Sequence, residues 1–308
     1  MALPGSLCGR RGLPQALTAA QAAAVQKNVP TSTTTDSKAV VFVDLLGFAS
    51  LTEQHDIQLE RIKIADRPLS ADNLNMILTG GENQLTRAFT IFHRSLKNVI
   101  DLAQMEHPLT AVTFSDSAFV ATEQLYHAAS IAVNLVQYLL PQRVPVRVGI
   151  AYGSFSALRF RSDVTVEGGD HAAYFLGTGV VRSYATESCG IKGLRILVHP
   201  SAMQHLNERS SDASGSSNKS ISLLKCFELE TNNSVGVQYE VNYWNFRPTA
   251  EADAWRALQD MWSAAPEKEL RHYEATAGAI DRMRVQQGQQ PLSNLRRRTL
   301  PRNPQSTV

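Results

Sequence analysis

The run Ala39-Val-Val-Phe-Val43, closed by Asp44, constrains the fold of this chain more than any other segment. Its β-branched and aromatic residues leave no polar face, so it predicts a strand covered on both sides at the centre of a sheet. Gly47 then allows a sharp turn into a short helix. A second aspartate stands in Val112-Thr-Phe-Ser-Asp116-Ser-Ala-Phe-Val120, where Ser115-Asp116-Ser117 predicts a tight hairpin between strands over 109–114 and 118–121. A fold that brings Asp44 and Asp116 together makes a pair of carboxylates able to share hard divalent cations. The plainer alternative is two ordinary turns that need no metal.

Between the two aspartates, Leu85, Phe89, Phe92, Leu96 and Val99 recur at spacings of three and four, which predicts an amphipathic helix from Glu82 to Met105. A helix over 124–140 follows the hairpin. Val144 to Tyr152 then reads as another inner strand, with Gly153 closing it. Strand, helix, hairpin, helix, strand is the order of a split βαβ sheet with helices on one face, an α+β fold with a ferredoxin-like core. Further on come strand pieces near 154–161, a helix over 176–188, a strand over 194–199 and strands near 221–229 and 235–241. Two polar helices, near 250–264 and 267–285, end the ordered part.

The expected organisation is a mobile arm over 1–37, a principal domain over 38–247 interrupted by a Ser-rich loop at 208–220, C-terminal helices over 248–287, and a basic tail over 288–308. A length of 308 residues with 43% hydrophobic content suffices for a sizeable core. The net charge of +2 gives no ground for stable nucleic-acid or membrane binding, and the tail arginines Arg296, Arg297, Arg298 and Arg302 read as a solvated end. Cys8, Cys189 and Cys226 form no Cys-x-x-Cys pair, and the eight histidines show no close metal-ligand spacing. No apolar run approaches the roughly 18 residues of a membrane span, and no signal pattern opens the chain, so a cytoplasmic protein is expected. Gly168-Gly-Asp170 reads as a turn.

Four segments resemble, in order, the motifs of class III nucleotide cyclases: Phe42-Val-Asp44-Leu-Leu-Gly-Phe-Ala-Ser50, Phe114-Ser-Asp116, Val146-Arg-Val-Gly-Ile-Ala-Tyr-Gly153 and Leu176-Gly-Thr-Gly-Val-Val-Arg-Ser-Tyr-Ala-Thr-Glu-Ser188. The resemblance spans about residues 38–200. It implies the fold of class III catalytic domains, here with extra C-terminal strands and helices. Within that family the chain looks most like the bacterial pyrimidine cyclases of the Pycsar anti-phage system. Purine cyclases read their base with a Lys and an Asp at positions matched here by Val112 and Thr178, whose side chains lack those charges and donors. Loss of a polar match of this kind shifts specificity strongly, which favours a smaller base.

The resemblance implies a reaction in which UTP becomes 3′,5′-cyclic UMP and diphosphate. Cyclic CMP from CTP is the first alternative, a purine (adenylate) cyclase the second, and a non-catalytic nucleotide-binding module the third. Asp44, Asp116 and the Leu45 carbonyl would hold two Mn²⁺ or Mg²⁺ ions. Leu46, Gly47, Phe48 and Ala49 would meet the phosphates at a helix start, and Val112, Thr178 and Tyr184 would meet the base. The family's transition-state Asn and Arg are matched by Val181 and Ala185, so Arg182, one turn before the latter, is the catalytic arginine the resemblance suggests. It further implies a homodimer with active sites at the interface, where Arg182 acts on the partner's substrate, and a separate effector that senses the cyclic nucleotide.

Overall fold

The computed structural model describes residues 37–54, 84–160, 172–212 and 221–292. The chain divides into Met1–Thr35 and Asp36–Val308, and every described residue belongs to the second unit. The arm, the stretch from 55 to 83, the Gly168-Gly-Asp170 turn, the Ser-rich stretch after Asp212 and the tail after Leu292 lie outside the described residues.

The central run becomes β1 (Ser37–Leu45), and α1 (Phe48–Gln54) follows the Gly47 turn. Then come α2 (Gln84–Gln104), β2 (Leu109–Thr113), β3 (Ser117–Thr122), α3 (Leu125–Leu139) and β4 (Val146–Ser154). Strands β2, β3, β1 and β4 lie side by side in that order, β1 being antiparallel to both β3 and β4. This is the ferredoxin-like βαββαβ arrangement that the element order predicts. The sheet continues through β7 (Ile196–Val198), β9 (Tyr239–Val241) and β8 (Leu223–Lys225), while β5 (Ser156–Phe160) and β6 (Ala172–Leu176) form a separate two-stranded ribbon. The remaining helices are α4 (Thr178–Glu187), α5 (Pro200–Asp212), α6 (Pro248–Ala264) and α7 (Glu267–Gln286).

Alternation along β1 assigns its side chains to two faces. Ala39, Val41, Val43 and Leu45 join a large core with Phe92, Leu96 and Val99 of α2, Leu135 and Leu139 of α3, and Trp255, Leu258, Ala277 and Ile280 of the C-terminal helices. Val40 and Phe42 point the other way, into a smaller cluster with Phe119, Ala121 and Phe155, against which Val180 of α4 packs. The core helices α2 and α3 share one face, as expected, whereas α4 covers the opposite face. Both faces of β1 are therefore buried, which is why its sequence has no polar alternation.

Several expected boundaries move. β4 does not close at Gly153 but runs through it to Ser154, because Gly153 and Gly149 admit α4 against the strand. A Cβ on Gly149 would lie 2.1 Å from the Ser183 carbonyl, and one on Gly153 would lie 2.5 Å from Thr178 Oγ1. The helix expected from Leu176 starts at Thr178, since Leu176 pairs with Ser156 in the ribbon. The loop expected from Glu208 begins as helix, because α5 continues to Asp212. His199 opens that helix: its Nδ1 accepts the Ser201 N–H at 3.0 Å.

Candidate active site

Asp44 is the penultimate residue of β1, on the α4 side of the sheet with Val40 and Phe42. In the register it faces Ser117 of β3 and Arg147 of β4. The two-residue turn Ser115-Asp116 is closed by the Phe114 N–H donating to Ser117 O at 2.7 Å, and the Leu45 N–H donates to Asp116 O at 2.9 Å. The hairpin therefore delivers Asp116 to the end of β1, beside Asp44. Ser115 Oγ donates to Asp116 Oδ1 at 2.9 Å, and His93 of α2 meets Ser115 O at 2.9 Å, which ties the hairpin tip to the helix layer.

Two residues that the sequence reading passed over complete this corner. Arg147 Nη2 lies 3.3 Å from Asp44 Oδ2, and the same nitrogen pairs with the buried Glu187 carboxylate at the end of α4. Arg147 Nε is buried without a hydrogen-bond partner. Burial raises the Asp44 pKa most, the Arg147 charge and hydrogen bond oppose this, and the negative charge of Asp116 adds to the rise. Glu187 is pushed up to about 7, by burial first, against the pull of Arg147 and with the help of Asp44. The signal that could have found them is an arginine inside the apolar strand Val146-Arg-Val-Gly-Ile: a charge there must have a buried partner.

The donor set fits hard cations. Asp44 and Asp116 are neighbouring carboxylates whose mutual repulsion a divalent ion would relieve, with the Leu45 carbonyl next in the chain. Among the described residues no group of three or more His, Cys, Asp or Glu is arranged to hold a metal, so the pair stands alone.

The Gly47 turn lies directly after these residues, with φ +81° at Gly47. Its offer of N–H groups is narrower than expected. The Leu46 N–H donates to Pro145 O at 2.9 Å, leaving Gly47, Phe48 and Ala49. Phe48 and Ala49 open α1 and so have no intrahelical acceptor.

Within one chain the expected base residues divide: Val112 and Tyr184 lie in the row of Phe42, two residues before Asp44, and Thr178 lies at the far end of the strand. Val112 pairs with Phe119, which pairs with Phe42, so all three side chains share the α4 face. Tyr184 sets its ring edge-on to Phe42 at 5.4 Å yet is 55% exposed. Thr178 lies at the other end of the sheet: its Oγ1 accepts the Ser154 N–H at 3.0 Å and it packs over Gly153, the partner of Lys38. At about 3.3 Å per residue, Lys38 and Asp44 are about 20 Å apart along β1. Arg182 Nη1 donates to Tyr152 O at 3.0 Å, also away from Asp44, since Tyr152 pairs with Ala39.

Among solved structures the chain is similar to the guanylyl cyclase domain of the RhoGC fusion protein from the aquatic fungus Blastocladiella emersonii, at 12% identity over 67% of this chain and 95% of that one, with a TM-score of 0.41. It is similar also to an adenylate cyclase from Trypanosoma brucei, at 15% identity over 69% and 90% of the two chains, TM-score 0.39. A bacterial light-regulated adenylyl cyclase matches at 16% identity over 72% and 97%, TM-score 0.39. No protein-family model and no curated protein matches the chain.

Proposed function

We propose that this chain is a nucleotide cyclase that converts UTP into 3′,5′-cyclic UMP and diphosphate, with CTP as the next candidate substrate. The observation that carries this reading is the meeting of Asp44 and Asp116 across the β1–β3 register, with the Leu45 N–H on the Asp116 carbonyl. Two turns with unrelated purposes would have no reason to set two carboxylates side by side against their own repulsion. The order of the four cyclase-like motifs along β1, the hairpin, β4 and α4 supports the same reading.

Asp44, Asp116 and the Leu45 carbonyl would hold Mn²⁺ or Mg²⁺. When bound, such ions supply charge neutralisation of the triphosphate and acidify the ribose 3′-hydroxyl. The 3′ oxygen forms a bond to the α-phosphorus as the bond to the β-phosphate oxygen breaks, and diphosphate leaves. The N–H groups of Gly47, Phe48 and Ala49 orient the phosphates. Arg147 can turn from Asp44 to phosphate oxygens while Glu187 keeps hold of it, since only one of its nitrogens is engaged.

Val112 and Tyr184, on the aromatic face around Phe42 and Phe119, and Thr178 would meet the base. The separation of Thr178 and of the Arg182 contact from Asp44 along the sheet supports a homodimer in which each site takes its metal ligands from one chain and Thr178 and Arg182 from the other, with Tyr184 at the seam between them. Among the described residues no helix is long and apolar enough to cross a membrane, which accords with a cytoplasmic enzyme. A second messenger in anti-phage defence, read by a separate effector, is the setting that the pyrimidine-cyclase resemblance suggests.

Incubating the purified protein with each of the four nucleoside triphosphates and Mn²⁺, then separating the products, tests this directly. Cyclic UMP is the expected main product. Cyclic AMP alone would overturn the base argument and leave the site intact. The second reading, a nucleotide-binding module without turnover, draws on Val181 and Ala185, which donate nothing, and on Arg182, which is bonded to backbone. Asp116→Ala separates the two: a cyclase loses at least about a hundredfold in turnover, whereas a signalling module keeps its output.

A further inference from the structure

On the side of the sheet away from Asp44 lies a cavity of about 370 Å³, between the β1–α1 turn, the start of α2, the loop before β4 and the α6–α7 hairpin. Its size is that of a small-molecule site. Leu46, Phe48, Ile91, Val144 and Met261 give it apolar walls, and neither Asp44 nor Asp116 lines it.

Its charged groups are unequally matched. Arg143 donates to Asp260 Oδ2 from Nη2 at 2.6 Å and from Nε at 3.1 Å, so those two cancel. Arg87 stands exposed at the rim. Glu269, in the first turn of α7, has no hydrogen bond or ion pair to its carboxylate among the described residues. Its Oε2 lies only 3.4 Å from where a Cβ of Gly47 would be. Tyr273 lines the same space, and burial, then the Glu269 charge, push its hydroxyl up to about 12, so it remains a neutral donor. Among the described residues the cavity thus carries one half-buried unpaired carboxylate within it and one unpaired guanidinium at its exposed rim, and the carboxylate against apolar walls suits a cation carried on a hydrocarbon body.

We propose that this cavity binds a small organic ammonium compound, with its charge on Glu269 and its apolar body against Phe48, Ile91 and Met261, and that it thereby tunes the Gly47 turn. Binding stands on the cavity alone. Tuning rests on the cyclase reading: Glu269 places a negative charge against the turn assigned to the phosphates, and a bound cation neutralises it.

Calorimetric titration of the full chain with cyclohexylammonium, cyclohexanol and cyclohexanecarboxylate tests the binding. The ammonium is expected to bind, the carboxylate not, and Glu269→Gln to weaken the ammonium about tenfold or more. Asp253→Asn, on the exposed side of α6, serves as the control and leaves affinity unchanged. If cyclohexanol binds as tightly as the ammonium, if Glu269→Gln has no effect, or if no probe binds at millimolar concentration, the proposal fails. If the first turn of α7 merely prefers an acidic residue, Glu269→Gln lowers the melting temperature without touching ammonium affinity, and that result also overturns it. A saturating ammonium should lower the apparent KM for the triphosphate severalfold, and an unchanged KM removes the tuning. Ammonium binding without any cyclic product would retain the cavity and reject the cyclase reading; cyclic product without ammonium binding would do the reverse.

Discussion

Arg147 serves two carboxylates through one nitrogen, and that sharing sets how the site responds to protons. Glu187 is 3% exposed, and its burial outweighs the attraction of Arg147, so the folded chain holds its proton up to about pH 7, against an ordinary value of 4.5. The unfolded chain releases that proton earlier. The stability contributed by protonated Glu187 is thus fully present below about pH 4.5 and lost as pH rises through about 7, a change of up to about 3 kcal/mol. His272 runs the other way: burial first, then the charges of Arg147 and Lys192, lower it from 6.5 to about 4, so its contribution is lost on acidification. The clean measurement is therefore a difference. Urea unfolding of the native chain and Glu187→Gln at several pH values should show the native chain losing ground to the variant between pH 4.5 and 7. Loss of the ion pair shifts all the variant's values together, so only the slope reports the carboxyl. A flat difference would mean that Glu187 is ionised throughout.

At the scale of elements, the close seating of α4 on β4 aligns Glu187 with Arg147. Gly149 permits it, since any Cβ there would overlap the Ser183 carbonyl and crowd the Glu187 N–H at 2.8 Å. Gly149→Ala should lift the helix and destabilise the fold by about 1–3 kcal/mol, read from urea unfolding; a change below about 0.5 kcal/mol would show that the helix is seated more loosely. This packing also explains what the sequence made legible. β1, α2, the hairpin, α3 and β4 each carry their own period or turn chemistry, so they could be read locally, whereas the meeting of Asp44 with Asp116 was expected from the element order and the motif resemblance. β6 was missed because Ala172–Leu176 gains its pairing only from β5. α5 was missed because its polar residues follow a strand of only three residues and a proline. Arg147 and Glu187 escaped for the same reason: their pairing exists only once α4 crosses β4.

For the whole molecule, the decisive fact is a distance. Asp44 and Asp116 sit at one end of β1, while Thr178 and the Arg182 contact with Tyr152 sit towards the other, with about 20 Å between Lys38 and Asp44. If the aspartates hold the nucleotide and Thr178 meets its base, as proposed, the two must come from different chains. On α4 and beside it, Val181 at 67%, Tyr184 at 55%, Leu176 at 56% and Phe114 at 40% exposure offer apolar side chains that a partner could cover. In the proposed two-fold dimer each chain would bring its α4 to its partner's aspartates, which would make two composite sites. Complementation tests this arrangement. Asp44→Ala removes one half of a site and the double substitution Arg182→Ala with Tyr184→Ala removes the other, so each variant alone should be inactive. Mixed and allowed to exchange subunits, half of the dimers pair one of each, and every such dimer carries one intact site beside one doubly damaged site. Activity should return to about a quarter of the native level. Placing all three substitutions in one chain and mixing it with either variant should restore nothing, since no intact half-pair then meets. Absence of recovery in the first mixture, with subunit exchange confirmed by mass, would mean that Asp44 and the Arg182 and Tyr184 pair act within one chain, and would overturn the composite site.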